Sequence, residues 1–237
     1  MVEQLQYGTT VIDYELTFAE RRTLGIRVHP DGAVAVVAPV GTGRPAIREK
    51  LLGKAAWIRR QQDFFLSFRP RTSDRQFVSG EGHYYLGKRY RLKVERVAAG
   101  AVAGVKLGGG YFHLRTPDPE DTELSRRLLH DWYAARAAHH FPLLLAERLP
   151  AARRYYDGPV ELRQRRLTNR WGTCRRSGTI TLNLELIKAP RVCIEYVIVH
   201  ELCHLRHFSH SRAFYELLDR EWPGWPAVKE RLELLLS

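Results

Sequence analysis

Apolar and polar positions set two different periods along the chain. Residues 14–18 (YELTF), 24–30 (LGIRVHP) and 33–39 (AVAVVAP) alternate or run β-branched, which predicts strands through the first forty residues. The Pro, Asp and Gly of His29–Ala33 read as a turn. After Pro45 the period becomes helical, with Ile47, Leu51, Ala55 and Ile58 on one face of a single helix that tolerates Gly53. Strands return at residues 83–97, around a turn at Gly87–Lys88, and at 105–116, across Gly108–Gly110. Residues 120–149 read as a long helix capped by Thr122, with Pro142 expected to kink or divide it.

Residues 159–174 and 179–186 read as two further strands joined by Arg175–Gly178. Residues 191–207 (RVCIEYVIVHELCHLRH) predict a helix whose first half is apolar nearly all round, as in a core. Ser211 is placed to cap the next helix, and Pro226 to open a last one. No internal repeat is visible. The fold class expected is α+β. A β-rich N-terminal region with one helix should span residues 1–118 and a hydrolase domain residues 119–237.

Composition sharpens this picture in two ways. Of 237 residues, 44% are hydrophobic, enough for a substantial core. The net charge of +12 favours anionic partners, so nucleic acid or nucleotide is a candidate ligand for the basic surface. Arginine interleaves with aromatic residues at 54–62 (KAAWIRRQQ) and 161–171 (ELRQRRLTNRW). The opening residues lack a basic and then apolar leader, and no run is long enough to span a membrane. Three widely spaced cysteines, Cys174, Cys193 and Cys203, make a poor disulfide framework. Together these point to a cytoplasmic protein without a membrane partner; oligomeric state is not legible.

The apolar helix carries the chemistry. His200-Glu201-Leu202-Cys203-His204 fits H-E-x-x-H. Residues four apart on a helix sit roughly 6 Å along the axis and about 40° around it, so two imidazoles can grip one small cation. Glu201, beside them, can serve as general base toward metal-bound water. A catalytic zinc site needs three protein ligands and one open position. His210 and His207 compete for third place. On a continuous helix His207 would lie about 10 Å along the axis from His200, too far to share a cation easily. His210 can return if the chain leaves the helix first. Glu216 and Asp219 are weaker alternatives. Cys203 reads as a small buried hydrophobe.

Residues 169–183 (NRWGTCRRSGTITLN) and 196–218 (YVIVHELCHLRHFSHSRAFYELL) resemble the YgjP-like, SprT-related zinc metallopeptidase family. The resemblance implies a zincin-like fold. It also implies one zinc per chain on His200, His204 and His210, with Glu201 as the catalytic acid/base. The absence of any methionine beyond Met1 excludes a Met-turn, and so the metzincins. Arg170, Trp171 and Tyr215 are candidates for substrate or oxyanion contacts, and the strand at Thr179–Leu184 for an edge that receives extended peptide. The function expected is a zinc hydrolase acting on peptide or protein. The alternatives are a nucleotide phosphohydrolase on the same site and a nucleic-acid-associated protease or binding protein.

Overall fold

The structure is a computed structural model, and it describes residues 2–28, 32–66, 75–98, 100–168 and 170–236. The early alternation folds as four strands: β1 (Val2–Tyr7), β2 (Thr10–Ala19), β3 (Gly25–Val28) and β4 (Val34–Pro39). They lie in the order β1-β2-β4-β3, with β2 and β4 parallel and both outer pairs antiparallel. His29–Asp31 of the expected turn lie outside the described residues. Leu5, Ile12, Tyr14, Leu16, Val34 and Val36 form one buried face. They share a core with Ile47, Leu51, Ala55 and Ile58. The expected single helix is two, α1 (Arg44–Leu52) and α2 (Ala55–Leu66). Gly53 breaks it, and the break leaves Ile47 and Leu51 on one side and Ala55 and Ile58 on the other all buried.

The same arrangement then recurs. β5 (Gly82–Tyr85), β6 (Lys88–Arg96), β7 (Gly104–Gly108) and β8 (Tyr111–Thr116) take the order β5-β6-β8-β7, again parallel in the middle and antiparallel outside. The registers match. Tyr14 pairs with Val34 as Leu92 pairs with Phe112, and Leu16 with Val36 as Val94 with Leu114. Leu5 opposite Ile12 becomes His83 opposite Tyr90, and Ala38 becomes Thr116. A leucine replaced by a buried histidine and an alanine by a buried threonine hide the repeat from sequence. The hairpin turn is Leu86–Gly87, one residue earlier than expected, and both residues have positive φ, 46° and 80°.

α3 (Thr122–Ala152) covers this second sheet through Leu129, Tyr133, Ala137 and Phe141. Asp121, not Thr122, caps it, accepting from Leu124 N–H at 2.8 Å. The helix runs unbroken through Pro142. Buried Phe141, Leu144 and Leu145 anchor both sides of the proline, which offsets the one lost hydrogen bond.

Residues 159–174 hold two strands rather than one, β9 (Glu161–Arg165) and β10 (Gly172–Cys174), and these flank β11 (Thr179–Asn183) in the order β10-β11-β9. β11 is therefore central and wholly buried, not an edge. The edges are β10 and β9. The turn at Arg175–Gly178 is closed by Gly178 N–H to Arg175 carbonyl, 3.0 Å, with Gly178 at φ 84°. A 3-10 turn (Leu184–Lys188) leads to α4 (Arg191–His204), then α5 (Arg212–Glu221) and α6 (Trp225–Leu236). Ser211 caps α5 as expected, accepting from Phe214 N–H at 3.4 Å.

The chain divides into two compact units, Met1–Ser73 and Asp74–Leu236. The division falls well before residue 118, because the second sheet packs on α3 and shares its core with α4. The protein is α+β. No helix among the described residues is long and apolar enough to cross a membrane.

Candidate active site

α4 is buried on nearly every side from Cys193 to Cys203. A polar side chain there needs a partner. Glu195 has two, the guanidiniums of Arg148 and Arg191. His200 and Glu201 are different. Nδ1 of His200 and Oε2 of Glu201 are buried with no hydrogen-bond partner among the described residues.

The three histidines converge through their Nε2 atoms. Nε2 of His210 lies 3.0 Å from Nε2 of His200 and 3.2 Å from Nε2 of His204. The chain leaves α4 after His204 and returns in time for α5, which brings His210 back. Phe214, fully buried, packs against all three rings at 4.5–5.0 Å. His204 Nδ1 lies 2.9 Å from the carbonyl of His207. That bond needs a proton on Nδ1, so Nε2 of His204 presents a lone pair. Burial lowers the pKa of all three rings, that of His200 to about 3, and so keeps them neutral, the form that ligates metal.

The residues fit a zinc ion. In a tetrahedral site with Zn–N bonds of ~2.0–2.1 Å, ligand nitrogens stand about 3.3 Å apart. The observed separations are close to that, and Nε2 of His204, whose ring proton is committed to Nδ1, faces the other two nitrogens with its lone pair. His207 contributes its carbonyl, with its ring outside the cluster. Glu216 pairs with Arg212 at 2.6 Å, and Asp219 accepts from Trp225 Nε1 at 2.7 Å, so both face elsewhere. Cys203 is fully buried, as read.

Glu201 lies under the edge strand. It is 4% exposed, and burial pushes its pKa up to about 8, opposed by the charge of Arg170. A cavity of about 650 Å³ opens above it. One wall is Arg170 to Cys174; the other combines Tyr196 with Trp225 and Lys229 of α6. Arg170, Trp171 and Tyr215 all line this space. Trp171 also packs on the core. Tyr215 is 39% exposed and stacks on Trp225, with centroids 5.7 Å apart, instead of packing inside.

Several lining residues were not anticipated. Gly172 was missed because its role is to have no side chain. Cys174 is half-buried in the wall, with its thiol pKa pushed up to about 12 by burial and then by Glu201. Trp225 and Lys229 come from a helix far along the chain, and no local pattern marks them.

No curated protein gives a significant match. Among solved structures the chain is similar to the metallopeptidase zymogen of Pyrococcus abyssi abylysin. The two are 26% identical over 37% of this chain and 90% of that one, with a TM-score of 0.34. Residues 22–234 match the YgjP-like metallopeptidase domain. That span takes in the second and third sheets, all three histidines and α6 almost to its end, and on it the chain belongs to the YgjP-like metallopeptidase family.

Proposed function

We propose that the protein is a zinc-dependent peptidase in which His200, His204 and His210 hold one zinc and Glu201 is the general base. One observation carries the reading: three imidazole Nε2 atoms converge beside a buried carboxylate whose Oε2 has no partner among the described residues, at the floor of an open cavity. A bound zinc would supply Lewis acidity toward a substrate carbonyl and acidify water. The protein groups do the rest. The carbonyl of His207 fixes the tautomer and angle of His204. Glu201, raised in basicity by burial, takes a proton from the attacking water and delivers it to the leaving nitrogen.

The open edge of β10 suits an extended peptide. Trp171 carbonyl accepts from Asn183 N–H at 2.9 Å, and Arg175 N–H donates to Thr179 carbonyl at 2.9 Å. Antiparallel pairing alternates, so the N–H and C=O of Gly172 and Cys174 point away from β11, toward the free edge. A substrate strand can pair there beside Glu201. A second reading, nucleotide phosphohydrolysis on the same site, draws on Arg170 and Lys229 in the cavity wall.

The test is a peptide library and a nucleoside triphosphate panel offered to zinc-replete, chelated and zinc-restored protein. Peptide cleavage that vanishes on chelation and returns with zinc supports the peptidase. Turnover of nucleotides alone would replace it with the second reading.

A further inference from the structure

A second cavity, of about 600 Å³, lies in the same unit and is lined by a different set of residues. Its walls bring together Arg153 and Arg154 at the end of α3, Arg206 just beyond α4, and Arg220 of α5, with Tyr155 and Tyr156 between them. Leu217, 3% exposed, is part of the lining. The sequence scatters these arginines over sixty-odd positions, so only the fold assembles them.

Their charge is incompletely neutralised. Arg154 and Arg220 share one carboxylate, Glu221, at 2.7 and 3.6 Å. Arg153 donates to the carbonyl of Gly158 at 2.6 Å and has no carboxylate partner among the described residues. Arg206 has none there either. Asp157 is the one carboxylate among the lining residues. Two guanidiniums therefore line the cavity with no carboxylate in ion-pair contact among the described residues, each offering a planar fork of donors, with tyrosine rings beside them.

We propose that this cleft binds a phosphate group. A tetrahedral dianion accepts from several guanidiniums that approach in different planes, whereas a planar carboxylate matches one fork. The net charge of +12 favours such a ligand over a neutral one. The cleft also borders the metal site. His207 lines the cleft and, through its carbonyl, holds His204. The proposal is independent of what the histidines hydrolyse.

The phosphate has two sources, a small phosphorylated molecule or a nucleic-acid backbone, and two probes separate them. One is a labelled twenty-residue thymidine oligomer followed by fluorescence anisotropy; the other is inorganic phosphate, alone and as competitor. The protein is used zinc-replete. We expect binding that weakens with salt, and at least a tenfold loss in Arg153→Gln/Arg206→Gln with zinc content unchanged. For the oligomer the salt slope should fall by about 0.7 per arginine removed. Arg175→Gln/Arg176→Gln, on the β10–β11 turn, should bind within threefold of the parent. Tight oligomer binding with feeble phosphate competition assigns the backbone; comparable binding of both assigns a small phosphate ligand. The proposal is overturned if neither probe binds, if the double variant binds as the parent does, or if a hexaglutamate peptide binds more tightly than both probes.

Discussion

Gly172 and Glu201 touch so closely that no side chain fits between them. A Cβ on Gly172 would stand 2.6 Å from Oε1 of Glu201, 2.8 Å from its Cγ and 2.9 Å from its Cδ. Real Cβ atoms essentially never approach so near. The backbone of the edge strand thus closes on the carboxylate, and one residue sets both the substrate edge and the resting place of the proposed base.

Gly172→Ala should therefore displace Glu201 without touching the histidines. The expected result is a fall in kcat of about tenfold or more, since misplacement by an ångström is costly in a positioned proton transfer. Zinc content should not change. Glu201→Asp, one methylene shorter, should lose less in the Gly172→Ala background than in the parent. Strictly additive losses in that double-mutant cycle would show that the contact has no catalytic consequence.

Glu201→Gln keeps the shape of the side chain and removes its basicity. Turnover should drop by ~10²–10⁴-fold with zinc still bound. Steady-state kinetics beside metal analysis checks both halves. Near-parental kcat in this variant would take Glu201 out of the mechanism.

Substrate pairing on β10 predicts a different pattern at Cys174. Cys174→Pro removes an N–H that faces the free edge, whereas Cys174→Ser keeps it. Peptide kcat/KM should fall at least tenfold in the proline variant and stay within threefold in the serine variant, both retaining zinc. Equal activity in the two would place the peptide elsewhere.

The histidine cluster was legible because H-E-x-x-H states its geometry locally: one helix turn separates the two rings. His210 was legible from the need for a third ligand and from a chain reversal marked by Ser211. What escaped was non-local. β11 reads as a strand with an open side, yet β9, upstream of it in the chain, takes that side and leaves β10 and β9 as the edges. The division of the chain was placed too late, because the second sheet resembles the first in pattern but belongs to the core around α3 and α4. Pro142 obeyed its neighbours' burial over its own preference.

His83, where the first sheet has Leu5, makes stability depend on pH. The ring is 1% exposed, and burial, then Arg75 and Lys188, lowers its pKa from 6.5 to about 3. The contact with Glu81 at 3.2 Å acts the other way and loses to burial. The folded state holds no proton there until pH is about 3, but the unfolded ring takes one below 6.5. Unfolding takes up a proton in between, so stability is full above pH 6.5 and falls as pH drops toward 3. His83→Leu should remove up to about 1.4 kcal/mol per pH unit of that slope. Urea unfolding of both proteins from pH 7.5 to 5 measures it; parallel curves would contradict the assignment.

The metal centre itself is tested most directly by anomalous diffraction at the zinc edge from crystals of zinc-replete protein, paired with metal analysis of His207→Ala and His210→Ala after dialysis. The account predicts a single peak bonded at ~2.0–2.1 Å to Nε2 of His200, His204 and His210, retained zinc in His207→Ala and lost zinc in His210→Ala. A peak liganded by the His207 ring, or zinc retained without His210 and lost without the His207 side chain, would contradict it.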